Sequence, residues 1–297
     1  MEVNLRKFSE NVLKSQLNSF YLKDYNNDSV ELFVKRDDLI HPEVSGNKWR
    51  KLKWNLIGAL ENDCKLISTY GGAYSNHLLA TASIGHEFGI QTRAYVRGDE
   101  LNQLSNSLLK RCHDLQMDLR FTDRKTYVKN KRANGVSICG MDRIWNVPEG
   151  GANKEGAEGC REIIQETSND FDYVFVAQGT STTSMGILSA MNPKTTLVVV
   201  PVLKGYDSIK EMKKLHHEYG LYFDSSKIIV LDEFHFGGYA KSNGILTDFV
   251  EGFNQSNTFQ IEPVYTGKVM FALQEYLKLN SLRHKKVLFV HTGGLNN

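Results

Sequence analysis

"FDYVFVAQGTSTTSMGILSAMNPKTTLVVVPVL", residues 171–203, decides the fold. Its first eight residues are rich in aromatic and β-branched side chains and read as a strand. "TSMGILSAMN" reads as a helix, and "TTLVVVPVL" as a second strand. Two apolar strands joined by a helix make a parallel pair, covered by helices on both faces. Between the first strand and the helix lies "GTSTTS", a small-residue turn. In open α/β sheets, ligands bind at the carboxyl ends of strands, so such a turn is where a site belongs.

The same alternation extends in both directions. Towards the N-terminus, "VELFVKRDDL", "KLISTYGG", "IQTRAYVRG", "MDLRFTD" and "RIWNVPEGG" read as strands. Between them, "NKWRKLKWNLIGALEN", "SNHLLATASIGHEFG" and "NSLLKRCHDLQ" have helical periodicity, and a weaker helix precedes "RIWNVPEGG". Ser75 or Asn76 is a plausible N-cap for the second of these helices. "NKEGAEGCREIIQETS" is a helix that leads into the opening stretch. Towards the C-terminus come "KIIVLDEF" and "KKVLFVHTGG" as strands, with helices "DSIKEMKKLHHEYG" and "GKVMFALQEYLKLN". There are more strands than one small sheet needs, so two α/β domains are expected.

Composition excludes several classes. A chain of 297 residues is long enough for one large or two ordinary domains. Lys plus Arg number 36 and Asp plus Glu 34, for a net charge of +2, which gives no reason to expect nucleic acid or a membrane surface as partner. "MEVNLRKFSENVLKSQ" lacks the apolar core of a signal peptide, and no run reaches the length of a membrane span. The cysteines, Cys64, Cys112, Cys139 and Cys160, form no CxxC pair, so free thiols in a cytoplasmic protein are expected. The histidines show no metal-ligand spacing, and no metal is expected.

Three glycine-bearing turns and one lysine carry the chemistry. In "TYGGAYSNH" (69–77) a strand stops at two glycines and a helix starts near Ser75, which suits an anion such as a carboxylate. "VAQGTSTTSMG" (176–186) sets hydroxyls and backbone N–H groups around a helix N-terminus, which suits a phosphate. It is neither a Walker P-loop nor a GxGxxG fingerprint. In "FVHTGG" (289–294), Thr292 and two glycines let a flat ligand approach the backbone. Lys48 follows "SGN", while Arg50, Lys51 and Lys53 read as the solvated face of a helix. A phosphate cup, a carboxylate cup, a close-approach turn and a lysine together suggest pyridoxal 5'-phosphate.

"SGNKWRKL", "GGAYSNH", "PEGGANKEG", "GTSTTSMG", "EPVYTGK" and "HTGG" occur in this order. Together they resemble the family of 1-aminocyclopropane-1-carboxylate deaminase and D-cysteine desulfhydrase, from about residue 33 onward. The resemblance implies two open, twisted, mostly parallel sheets flanked by helices: the tryptophan-synthase-β-like fold, or fold type II, of the pyridoxal-phosphate enzymes. It implies a large cofactor-binding domain from 1–50 and 148–297, a small α/β domain from 51–147, and an active site in the cleft between them. Lys48 matches the family's Schiff-base lysine. Asn76 matches the asparagine at the cofactor's 3′-oxygen, and Ser75, Asn76 and His77 the loop for the substrate carboxylate. Gly179, Thr180, Ser181, Thr182 and Thr183 match the phosphate loop. Tyr239 and Tyr265 match two active-site tyrosines, and Thr266 and Thr292 complete the cofactor set, Thr266 at the ring nitrogen. Relatives suggest a cytoplasmic homodimer acting on a small amino acid. The chain departs from the family in three places: it ends at "HTGGLNN", its phosphate loop is rich in hydroxyls, and Asp123 to Trp145 is compressed.

In the deaminases, the residue after the second tyrosine is typically glutamate; here it is Thr266. A carboxylate keeps the ring nitrogen protonated, whereas a hydroxyl makes a weaker electron sink that a good leaving group tolerates. The resemblance therefore favours β-elimination from D-cysteine to pyruvate, ammonia and sulfide. The alternative is opening of 1-aminocyclopropane-1-carboxylate to 2-oxobutanoate and ammonia. An alternative from another class is a cofactor-binding protein without turnover.

Overall fold

The computed structural model describes residues 15–22, 29–44, 46–133 and 142–294. The chain divides into two compact units. The first comprises Ile40–Gly159; the second comprises the described residues up to Leu39 and those from Cys160 onward. The division falls at 39/40 and 159/160, so Lys48 belongs to the first unit.

The first unit carries a four-stranded, all-parallel sheet. Its strands are β3 (Leu66–Gly72), β4 (Gln91–Arg97), β5 (Asp118–Thr122) and β6 (Ile144–Asn146), in the order β5-β4-β3-β6. Helices α1 (Asn47–Glu61), α2 (Asn76–Phe88), α3 (Ser107–Asp114), α4 (Arg124–Ala133) and α5 (Lys154–Gln165) follow the expected alternation, α5 straddling the boundary. Trp49, Leu52 and Leu56 of α1 join Ile67 and Trp145 in one buried cluster. Leu78, Ala82, Ala94, Val96 and Leu109 form another. Each fully buried aliphatic side chain stabilises the fold by roughly 1.5–3 kcal/mol.

The second unit carries a six-stranded sheet. Its strands are β1 (Gln16–Ser19), β2 (Val30–Arg36), β7 (Tyr173–Gln178), β8 (Thr196–Pro201), β9 (Ile228–Val230) and β10 (Lys285–His291), in the order β1-β2-β10-β7-β8-β9. Only the edge pair β1–β2 is antiparallel. Its further helices are α6 (Thr182–Ala190), α7 (Ser208–Tyr219), α8 (Gly244–Ser256) and α9 (Thr266–Asn280). Phe175, Val198, Val200, Val269, Leu273, Val287 and Phe289 fill its core. The sequence expectation lacked both α8 and β1. Leu246, Val250 and Phe253 give α8 a buried face, but Gly244 and Gly252 weaken its local signal.

Two further expectations are corrected. Arg50 and Lys51 are buried, at 2% and 3% exposure, rather than solvated. A second helix covers that face of α1, since a Cβ on Gly159 of α5 would lie 1.8 Å from the Arg50 carbonyl oxygen. Cys64 is disulfide-bonded, whereas free thiols were expected; spacing along the chain does not give distance in the fold. Cys112 and Cys160 are buried thiols, and Cys139 lies outside the described residues. Among the described residues, no helix is long and apolar enough to cross a membrane, and no cluster of His, Cys, Asp or Glu could hold a metal.

Candidate active site

In each sheet the strand order reverses at one point, and the turns singled out by the sequence lie there. In the first unit the chain runs β3, β4, β5 in one direction and returns to place β6 on the other side of β3. The carboxyl ends of β3 and β6 flank that switch point. β3 ends in Gly71-Gly72, and α2 begins at Asn76 with Ser75 as its N-cap. A Cβ on Gly71 would lie 2.8 Å from Leu78 Cγ, so the turn needs glycine. The Ser75 hydroxyl makes no capping bond, and Asn76 Oδ1 is buried without a partner. Both remain available to a ligand beside the free N–H groups of the first turn.

His77 anchors this turn from beneath. The Thr69 hydroxyl donates to the Val147 carbonyl at 2.9 Å and lies 2.8 Å from His77 Nε2. With its hydrogen so committed, Thr69 accepts from Nε2–H, which leaves Nδ1 as a lone-pair acceptor. That atom is buried and has no partner. Burial holds the His77 imidazole well below its ordinary pKa, and the charges of Lys48 and Lys51 act in the same direction. A neutral, buried His77 positions the loop rather than pairing with a carboxylate as a cation.

Lys48 is the second residue of α1, after Gly46 with φ 65°. It is half-buried, and its Nζ donates to Asn47 Oδ1 at 2.8 Å. One position was missed by the sequence reading. Lys51 donates to the Gly150 carbonyl at 3.1 Å, in the "PEGG" turn after β6. A Cβ on Gly151 would meet Lys51 Cβ at 3.0 Å and His77 Cε1 at 3.6 Å. Lys51, His77 and that turn are thus one packed cluster.

In the second unit the chain runs β7, β8, β9 in one direction and returns to place β10 beside β7 on the other side. The "GTSTTS" turn follows β7, and "TGG" follows β10. α6 begins at Thr182 with Ser181 as its N-cap in the left-handed region, at φ 59°, and no side chain caps it. Ser181, Thr182 and Thr183 are buried. Ser181 Oγ lies 2.8 Å from the Tyr206 hydroxyl, whose pKa burial pushes up to about 12. Both polar atoms of the Gln178 side chain and the Ser184 hydroxyl are buried without partners.

Tyr265 stands over this turn: a Cβ on Gly179 would lie 3.7 Å from Tyr265 Cε1. The Tyr239 ring meets Tyr265 edge-on, with centroids 6.0 Å apart. Thr266 is fully buried. Its hydroxyl accepts from the Glu262 N–H at 2.9 Å and donates to Glu262 Oε1 at 3.1 Å. The Glu262 carboxylate also accepts from the N–H groups of Val264, Tyr265 and Thr266, and so caps α9 from a distance. The sequence reading missed Glu262, whose only signal was its place four residues ahead of Thr266. A Cβ on Gly294 would lie 3.4 Å from the Glu262 side chain, and Gly293 and Gly294 have positive φ. The turn after β10 therefore packs against the start of α9. Gly293 N–H donates to His291 Nδ1, and His291 Nε2 faces the Gln260 carbonyl at 2.7 Å.

Two α/β units, each with a glycine-bearing turn at its switch point, are the architecture of a class of cofactor-dependent enzymes. The chain belongs to the pyridoxal-phosphate dependent enzyme family, which matches residues 17–293. Pyridoxal phosphate is accordingly its cofactor. It is 27% identical over 283 residues to a protein of Pyrococcus abyssi provisionally named 1-aminocyclopropane-1-carboxylate deaminase, covering 90% of this chain and 85% of that one. A Thermotoga maritima protein of the same provisional name is 28% identical over 289 residues, covering 89% and 88%. Among solved structures, an ACC deaminase homologue superposes with a TM-score of 0.77 at 22% identity, covering 98% of this chain and 94% of that one. A hydrogen sulfide-producing enzyme from Fusobacterium nucleatum superposes with a TM-score of 0.70 at 13% identity, covering 97% and 95%. These two structures establish the fold.

The residues present fit the cofactor. The uncapped start of α6, ringed by buried hydroxyls and the unpaired Gln178 and Ser184 side chains, has the donor chemistry a phosphate requires. Gly179 leaves room at that turn.

Proposed function

We propose that the protein is a deaminating lyase that acts on a small D-amino acid, with D-cysteine as substrate and pyruvate, ammonia and sulfide as products. One observation carries the choice. No carboxylate side chain follows Tyr265, and the Glu262 carboxylate beside Thr266 is taken up by three backbone N–H groups and the Thr266 hydroxyl. Because the Thr266 hydrogen is committed to Glu262, Thr292 is the hydroxyl better suited to a ring nitrogen. The reading thus moves that role from Thr266 to Thr292, and it keeps a weak electron sink, which suffices when thiolate leaves.

In this proposal Lys48 Nζ holds the cofactor, Gly179 to Thr183 hold its phosphate, and Asn76 faces its 3′-oxygen. When bound, pyridoxal phosphate supplies the sink for electrons left on the substrate α-carbon. Lys48 Nζ would also accept the α-proton of the substrate. Ser75 and the first-turn N–H groups of α2 orient the substrate carboxylate, with His77 fixing them from below. The resemblance assigns Tyr239 and Tyr265 to the substrate as well. The homodimer implied by the resemblance belongs to this proposal, and sedimentation velocity tests it.

The names of the Pyrococcus and Thermotoga relatives favour a second reading, deamination of 1-aminocyclopropane-1-carboxylate. Steady-state release of keto acid and ammonia from D-cysteine, L-cysteine and the cyclopropane amino acid decides between them. D-Cysteine is expected to give the highest kcat/KM. A higher value for the cyclopropane substrate would replace the first reading with the second. No turnover with bound cofactor would favour a binding protein.

A further inference from the structure

The second unit buries an ammonium for which the proposed reaction has no use. Lys268 lies one turn into α9 and is fully buried. Its Nζ donates to the carbonyls of His235 and Gly238, both at 2.8 Å. Among the described residues, no carboxylate within ion-pair distance explains its burial. Glu262 adds an attraction at longer range, while desolvation pulls the ammonium below its ordinary pKa. A buried cation that spends its donors on two backbone carbonyls stabilises the backbone that presents them.

That backbone is the approach to Tyr239. The segment leaves the short helical turn Asp232–His235 and passes through Phe236, Gly237 and Gly238 with φ of 51°, 95° and 119°; Ala240, after Tyr239, has φ 53°. Four left-handed residues in five give the turn little intrinsic preference for its native course. Its other hydrogen bonds are local: Gly237 N–H to His235 Nδ1, Gly238 N–H to the His235 carbonyl, and Lys241 N–H to the Gly238 carbonyl; at its start Phe236 also meets Phe271 of α9 edge-on, with centroids 5.3 Å apart. Half of the Tyr239 surface is exposed, so burial does not hold the ring. The Lys268 bonds tie the segment to α9, the helix whose N-cap is Tyr265.

We propose that Lys268 is a positioning residue for Tyr239. By clamping the two carbonyls that precede it, Lys268 registers Tyr239 on the helix that starts at Tyr265, and so sets the edge-on pair. The proposal rests on the reading of both tyrosines as substrate-facing residues.

Two measurements on the purified full-length enzyme test it. In the first, amide hydrogen exchange is followed in Lys268→Met. Exchange across 236–241 is expected to rise about tenfold or more, with β7 and β8 unchanged; unchanged exchange across 236–241 overturns the clamp. The second is a cycle of Lys268→Met, Tyr239→Phe and the double variant, read as kcat/KM and as cofactor affinity. Lys268→Met should lower kcat/KM about as far as Tyr239→Phe, add nothing to it in the double variant, and leave cofactor affinity within about twofold. Additive losses overturn the link to Tyr239 while leaving the proposed reaction intact. A Tyr239→Phe enzyme with wild-type kinetics overturns the substrate-facing reading of Tyr239, and the proposal with it. If Lys268→Met does not fold, Lys268→Gln, which keeps one shorter donor, takes its place in both measurements.

Discussion

The carboxyl end of β3 and the carboxyl end of β7 hold equivalent places in their own sheets, but they are built on different principles. The β3 turn is sterically tight. Gly71 meets Leu78, Gly151 meets Lys51, and a buried neutral imidazole lies beneath. The β7 turn is roomier: a methyl group placed on Gly179 would have only Tyr265 within 4 Å, and the buried hydroxyls there surround an uncapped helix start. Lysine side chains stand beside the first turn, whereas the second depends on hydroxyls and backbone N–H groups. The difference teaches that the turn proposed for the substrate carboxylate is made stiff by close packing. The turn proposed for the phosphate instead leaves space at Gly179, an uncapped helix start and the unpaired side chains of Gln178 and Ser184.

The largest expected effect concerns Lys48. Lys48→Ala should lower turnover by about 10³-fold or more, the upper part of the range for a lost general base. Borohydride reduction should label wild-type Lys48 and nothing in the variant; a label on Lys51 or Lys53 would break the assignment.

Packing comes next. Gly159→Ala would drive a methyl to within 1.8 Å of the Arg50 carbonyl oxygen. Urea unfolding should show a loss of about 3 kcal/mol. Gly179→Ala should cost less than about 1 kcal/mol by the same assay, because space is available there. Equal losses would mean that the α1–α5 contact at Gly159 is packed no more tightly than the β7 turn.

Thr183→Ala removes one buried hydroxyl from the proposed phosphate turn. A lost hydrogen bond to a charged group costs roughly 1.5–3 kcal/mol. Titration of the apo-enzyme should register it as weaker cofactor binding, with turnover per bound cofactor little changed. Unchanged affinity would remove Thr183 from the turn.

The smallest effect is a pH slope from the first region. The pKa of His77 is depressed in the folded state from 6.5. Below about that pH the unfolded chain therefore binds more protons, and stability falls as pH falls, by at most about 1.4 kcal/mol per pH unit for one group. Above it the contribution is constant. His291, also depressed by burial, adds a slope of the same sign. Urea midpoints between pH 5 and 7.5 should show a shallower slope in His77→Gln than in the wild type. An identical slope would mean that His77 is not held neutral.

Much of this was legible along the chain. The motif turns fall at strand ends, and Ser75 and Gly179 stand where the sequence put them. Thr266 was placed correctly at the start of α9, yet its hydroxyl is bound to Glu262, a partner that only the folded turn reveals. Arg50 and Lys51 show the same limit. Charge and helical period made them a solvated face, while α5 buries them from more than 100 residues away.

By itself, the sequence determined the alternation of strand and helix, the two-sheet class and the ordered turns that mark the family. Those properties follow from local periodicity and backbone preference, which need no distant partner. Only the tertiary structure decided which polar groups are spent and which are left. It neutralised His77 by burial, committed the Thr69 and Thr266 hydrogens, and turned Lys268 towards the carbonyls before Tyr239. Hydrogen-bond satisfaction and desolvation depend on neighbours that chain folding brings together, and residue type and spacing do not encode them.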